Sequence, residues 1–238
     1  MPHCAPSTEI AELDRVDIAV EPLSWPFAVE RRDEIDRYFA DLQRRRPGVW
    51  NGRVLLLHRY DIVGRALNGG CFETDYSSFI TWRDREFPEP DVYNFFAAAA
   101  LLSADGAYLL GEMASYTAGA GRTYFCCGTP EPADIGADGR IDLDANLGRE
   151  LFEETGITAA ELEVAPEWTV VRDRCFLGFM KLVISRQSAV ELRDRIRRHI
   201  VADQHPELAD MRIVRGTADI DTRMPPSVVA YLERQWRC

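Results

Sequence analysis

The chain has 238 residues, 46 % of them hydrophobic and 28 % charged, which is enough to bury one substantial core without requiring more than a single domain plus elaborations. A formal net charge of −11 argues against general binding to nucleic acid or to an acidic membrane surface, and no run approaches the roughly 18 apolar residues of a membrane span. The N-terminal MPHCAPSTEIAELDR lacks a basic region followed by an apolar one, and the 6 cysteines are too sparse for a disulfide scaffold, so the expected setting is cytoplasmic with free thiols.

Residues 1–15 read as polar and frayed, and VDIAVEPL (Val16 to Leu23) alternates like a short strand. Ile35, Tyr38, Phe39 and Leu42 recur at helical spacing, which predicts an amphipathic helix from Glu30 to Arg46, stopped by Pro47-Gly48. Residues 1–48 therefore form an N-terminal elaboration of strand plus helix, and 49–238 the main domain with its C-terminal helices.

From Trp50 to Trp82 the pattern predicts strand, turn, strand, with RVLLLHRY buried and Asn68-Gly69-Gly70 a turn rather than a phosphate cradle. Tyr76, Phe79, Trp82, Phe87, Tyr93 and Phe95 are expected to pack in the core or at a dimer face, in preference to walling a base-stacking pocket. Phe95 to Leu102 and Tyr108 to Gly111 flank Ser-Ala-Asp-Gly as a hairpin, and Thr123 to Cys127 is a further strand in which Cys126 and Cys127 face opposite ways.

Farther on, EWTVV and CFLGFMKLVI read as two strands joined at RDR, and Ser188-x-x-Glu191 is a capping box opening a helix with Leu192, Ile196 and Ile200 on one face. HPELADMRIVRG is a loop and strand, and a last helix runs from Ser227 to Trp236 after Pro225-Pro226. Pattern alone supports α/β or α+β. His3, His58, His199 and His205 show no metal spacing, and His58, in an apolar strand, is expected to be a satisfied packing residue. Of the 28 basic residues all but Lys181 are arginine, and no Gly-rich phosphate loop of the type ending in Lys is present.

The stretch that carries chemistry is DLDANLGRELFEETGI. On a helix Glu150, Glu153 and Glu154 crowd about one turn, and like charges at those spacings destabilise by a few tenths of a kcal/mol per pair unless a cation neutralises them. Leu143, Leu147 and Leu151 give another face to bury, Asp142 is an N-cap, Asp144 suits the first turn and Gly156 suits a left-handed end.

Arg149, Glu150, Leu151, Glu153, Glu154, Gly156 and Ile157 match the second half of the Nudix box position by position, and the chain resembles that family over about residues 50–216. The first half departs. The family's Glu, eight residues before the Arg, is here Ile141, and the Gly six residues before that Glu is Ile135. Gly128 resembles the Gly that opens the box, followed by Glu131 and an insertion through ADIGADGR, so Glu131 or Asp142 is expected to stand in beside Arg149.

The resemblance implies an α/β/α sandwich with a mixed sheet, here with the N-terminal helical elaboration added. It also implies a metal-dependent hydrolase that cleaves a pyrophosphate bond in a nucleoside diphosphate linked to another moiety. Its substrate would be a phosphorylated, nucleotide-derived small molecule; nucleic acid and membrane are not expected partners, and a homodimer is left open. Mg²⁺ or Mn²⁺ would sit on Glu150, Glu153 and Glu154, with Gly128 grouped with them. Glu153 is a ligand or holder of the attacking water, and Arg149 either orients Glu153 or meets a phosphate. A carboxylate from another segment is expected to complete the site; Glu207 is the choice, with Glu131 and Glu167 next. The alternative is a weak or non-catalytic Nudix-like nucleotide-binding or regulatory module, motivated by Ile141.

Overall fold

The computed structural model describes residues 8–89 and 91–237. His3, Cys4 and Cys238 lie outside these. The N-terminal part contains β1 (Glu9–Leu13), β2 (Arg15–Val20), α1 (Pro26–Glu30), α2 (Arg32–Arg45), β3 (Arg53–Val63), β4 (Ala66–Asp75) and α3 (Tyr76–Asp84). There follow β5 (Asn94–Leu102), β6 (Tyr108–Met113), β7 (Thr123–Tyr124), β8 (Cys126–Gly128) and α4 (Leu143–Thr155). The chain ends with β9 (Glu163–Val164), β10 (Trp168–Asp173), β11 (Phe176–Ile184), α5 (Ala189–Ala202), β12 (Leu208–Val214) and α6 (Pro226–Trp236).

The larger sheet has the order β1-β10-β11-β5-β6-β12, with β7, β8 and β9 adding to β6, β5 and β11. Only the β11·β5 pair along that path is parallel, so the sheet is mixed. The alternation of β5 explains how helices cover both faces. Ala97, Ala99 and Leu101 join a core with Leu143, Leu147 and Leu151 of α4 and Leu192, Ile196 and Ile200 of α5. Ala98 and Ala100 point the other way and pack with Val228, Tyr231 and Leu232 of α6. The result is an α/β/α sandwich. The adjacent thiols follow the same rule: Cys126 belongs to the first core and Cys127 packs against the second.

The smaller sheet, β2-β4-β3, is covered by α1, α2 and α3, with Trp25, Phe27, Ile35, Leu56, Phe72, Phe79 and Trp82 in one aromatic-rich cluster. Of the aromatics expected to pack, Phe79 and Trp82 belong to this cluster with Tyr76 and Phe87 against it, while Phe95 and Tyr93 pack with the first core. No helix among the described residues is long and apolar enough to cross a membrane.

Three local expectations differ from the structure. Within residues 1–15, Glu9–Leu13 is a strand, because EIAEL finds the free edge of β10. The hairpin turns at Gly64, at φ +61°, while Asn68, Gly69 and Gly70 lie inside β4. Glycine is needed there for close approach, since a side chain at Gly70 would run into the Glu21 carboxylate. Opposite it, β3 bulges between Leu57 and Arg59, and the extra residue, His58, meets Glu21 Oε2 through Nε2 at 2.8 Å. Finally, YSSFITW is α3 rather than strand: Asp75 caps it by accepting the Ser78 N–H at 2.8 Å.

Candidate active site

Helix α4 is fixed at both ends. Its N-cap Asp142 accepts the Ala145 N–H at 2.9 Å, and Gly156 ends it at φ +68°. From α5, His199 Nε2 donates to the Glu153 carbonyl at 2.9 Å and Arg195 to that of Gly156 at 3.2 Å, satisfying carbonyls that the helix end leaves open. The leucine face is buried in the core, and the acids run along its flank, with Glu154 buried beside it, Glu150 partly covered and Glu153 exposed.

The three acids meet different surroundings. Glu154 is 6 % exposed, takes the Cys127 N–H at 3.4 Å on Oε1, and its buried Oε2 has no hydrogen-bond partner among the described residues. Burial, with Glu150 and Glu207 nearby and the Cys126 thiol opposing, pushes its pKa well above the usual carboxylate range. Glu150 is half-buried and raised to about 7, first by burial, then by Glu153 and Glu207 against the pull of Arg149. Glu153 is exposed.

Gly128 lies against this group. A side chain there would collide with the Glu150 carboxylate, so the end of β8 must be glycine for Glu150 to occupy its place. The loop after it is tied down, with Thr129 Oγ1 donating to Asn94 Oδ1 at 2.9 Å and Leu55 N–H to the Pro130 carbonyl at 2.9 Å.

Arg149 bridges the acids. Its guanidinium is 2.8 Å from Glu150 Oε1, 3.2 Å from Glu153 Oε2 and 3.1 Å from Asp134 Oδ2. Burial works against its charge, but Glu150, Asp134 and Glu153 together hold its pKa above the ordinary arginine value. The expected partners, Glu131 and Asp142, are therefore replaced by Asp134. Both instead support it: the Glu131 N–H reaches Asp134 Oδ2 at 2.9 Å and the Asp142 N–H reaches the Asp134 carbonyl at 3.0 Å. The sequence held the signal. Counting six residues forward from Gly128, the family's own spacing from Gly to acid, lands on Asp134. In the pattern the chain resembles, the acid stands here as Asp, and the departure lies between it and Arg149.

That inserted stretch forms a closed excursion. Ile135 and Ile141 bridge to each other, Gly139 turns at φ +78°, and the excursion docks on β2 through Ile141 N–H to the Ile18 carbonyl and Val20 N–H to the Gly139 carbonyl, both at 2.9 Å. Ile141, 9 % exposed, is a core residue of this excursion.

Glu207 lies just before β12, its carbonyl accepting the Ala114 N–H at 2.9 Å. Its side chain is exposed, yet protein crowding around the carboxyl, then Glu153, raises its pKa against Arg149, and it in turn acts on Glu150 and Glu154. Neither Glu131 nor Glu167 is among the groups acting most strongly on these acids. Glu167 is exposed ahead of β10.

Solved structures similar to this chain include Nudix hydrolases. RenU, a Nudix hydrolase from M. smegmatis, shares 14 % identity at a TM-score of 0.42, over 61 % of this chain and 87 % of that one. The MutT protein from Methanosarcina mazei Go1 shares 19 % at a TM-score of 0.39, over 61 % and 94 %. A bifunctional NMN adenylyltransferase/ADP ribose pyrophosphatase from Francisella tularensis, complexed with AMP and a Mn ion, shares 15 % at 0.42, over 66 % of this chain and 45 % of that longer one. No protein-family model matches the chain, and no curated protein matches it.

The residues suit a hard divalent cation held from one side. Among the described residues no three His, Cys, Asp or Glu side chains are gathered into a ready-made cage. Mg²⁺ does not require one, because it keeps several waters and uses one or two carboxylates plus substrate phosphates. The buried Glu154 Oε2 without a partner and the Glu150 carboxylate seated over Gly128 are the donors that fit this mode.

Proposed function

We propose that the chain is a Nudix-type pyrophosphohydrolase that uses Mg²⁺ or Mn²⁺ to cleave a nucleoside diphosphate linked to another moiety. The observation that carries this reading is Glu154 Oε2, a buried carboxylate oxygen with no hydrogen-bond partner among the described residues, beside Glu150 and Glu153 at the box spacing. Such an arrangement stays costly unless a cation or proton completes it.

Glu150, Glu153 and Glu154 would hold the metal, which when bound neutralises charge developing on phosphate oxygens. Asp134 fixes Arg149, and Arg149 in turn orients Glu150 and Glu153. A water attacking phosphorus has to lose a proton. Glu207, whose pKa is raised by the protein crowding around its carboxyl and by Glu153, accepts that proton, and Glu153 is the other choice. The products are a nucleoside monophosphate and the phosphorylated second moiety, or orthophosphate when that moiety is absent.

The test is incubation with Mg²⁺ and a panel of nucleotide sugars, dinucleotide polyphosphates, ADP-ribose and coenzyme A derivatives, with release of a monophosphate expected. Silence across the panel, with the fold intact, would remove the hydrolase. A second reading, a Nudix-like nucleotide-binding module without turnover, is motivated by Ile141 in place of the expected Glu; it expects nucleotide binding without metal-dependent product.

A further inference from the structure

Asn146 stands on the first turn of α4, three residues before Arg149, and is fully buried at 0 % exposure. Its Nδ2 donates to Asp134 Oδ2 at 3.0 Å. The same oxygen accepts the Glu131 N–H at 2.9 Å and Arg149 Nη2 at 3.1 Å. The other end of the amide, Oδ1, is buried with no partner among the described residues. A buried acceptor left open costs stability, so an apolar residue of the same size would pack better here if packing were the only requirement. The cost is met for some other reason.

We infer that Asn146 is a positioning residue: it ties the Asp134 carboxylate to α4, so that Arg149 is presented to Glu150 and Glu153 in one geometry. The need for such a tie follows from the insertion. The Ile135–Ile141 excursion separates Asp134 from its helix and is itself docked on β2. Asp is also one methylene shorter than the Glu of the family pattern. Besides Arg149, the links from Asp134 to the helix end are the Asn146 amide and the Asp142 N–H to the Asp134 carbonyl at 3.0 Å. Only the amide acts on the carboxylate itself. The inference rests on the hydrolase reading for its kinetic readout and on metal binding alone for its second readout.

The experiment is a double-mutant cycle on the full chain with Asn146→Leu, Asp134→Asn and the pair, read by kcat and by Mn²⁺ affinity in titration calorimetry. Loss of an outer partner of a metal site typically weakens affinity or activity about 10- to 100-fold, and that is the size expected for Asn146→Leu at a preserved melting temperature. Because both residues act through the same carboxylate, the double variant should be no worse than Asp134→Asn alone. Should Asn146→Leu fail to fold, Asn146→Ser removes the donor with less bulk and enters the same cycle. Losses that multiply in the double variant, or an Asn146→Leu chain that keeps full Mn²⁺ affinity, would overturn the inference. If the unaltered chain binds Mn²⁺ but hydrolyses nothing, the hydrolase reading fails while the calorimetric cycle still decides this one. A chain that does neither overturns both.

Discussion

Arg149 and Asp134, 15 residues apart in the chain, meet at 3.1 Å between Nη2 and Oδ2, with the Asp134 side chain 4 % exposed. An ion pair so little exposed is asymmetric in its energetics, since removing one partner leaves the other charge uncompensated. Asp134→Asn should therefore lower kcat by roughly 10- to 100-fold, as expected for an outer partner of a metal site. Glu131→Gln and Asp142→Asn should change it little, because Glu131 and Asp142 reach Asp134 through backbone N–H groups. Equal losses from all three substitutions would contradict the assignment.

The excursion between Asp134 and Asp142 closes on itself, with the Asp142 N–H already bonded to the Asp134 carbonyl at 3.0 Å. Excising residues 135–141 should leave α4 and its acids folded and metal-dependent activity present, at some loss of melting temperature from the exposed β2 edge. Metal affinity lost along with the excursion would show that it belongs to the site rather than to the scaffold.

Glu150 and Glu154 make the metal-free protein pH-sensitive. Both are held above the ordinary carboxylate value of 4.5, Glu150 at about 7, with burial the first cause in each. Between those limits the folded chain binds protons that the unfolded chain releases, so stability is present at low pH and falls as pH rises through the folded values. Glu150 alone contributes on the order of 3 kcal/mol across that range. Melting temperature in EDTA should fall from about pH 5 to pH 8, and Mg²⁺ or Mn²⁺ should flatten the slope by binding the ionised acids. A metal-free chain with no slope in this window would count against the buried acids.

Much of this was legible in the sequence. Helix α4, its Asp142 cap, its Gly156 end and its leucine face all follow from local rules, since capping and periodicity act within one turn or two. What local pattern could not give was contact across distance. The strand Glu9–Leu13 exists because β10 offers it an edge, and Gly69-Gly70 reads as a turn until Glu21 and the His58 bulge are seen to press on it. Asp134 lay within reach, six residues after Gly128, but counting back from Arg149 hid it behind the excursion. Nothing local marks Asn146 or His199, whose partners lie on other segments.

The general base is the least constrained role. Glu207→Gln, compared with Glu131→Gln and Glu167→Gln, should lower kcat by about 10²–10⁴-fold on whichever substrate turns over, while the other two should not. Its contribution should also appear in the acid limb of the kcat profile, because a raised pKa means the base is protonated at a higher pH than an ordinary carboxylate. A near-normal Glu207→Gln would move the role to Glu153.

The most direct measurement of the central claim is Glu154→Gln assayed for Mn²⁺ binding, melting temperature and hydrolysis together. The side chain is buried, its Oε2 has no hydrogen-bond partner among the described residues and its charge is disfavoured, so replacing it with a neutral group of the same shape should leave the metal-free fold equally or more stable at pH 8. Mn²⁺ binding and monophosphate release should be lost together. Full turnover in Glu154→Gln, or Mn²⁺ affinity equal to that of the unaltered chain, would contradict a metal site on this helix.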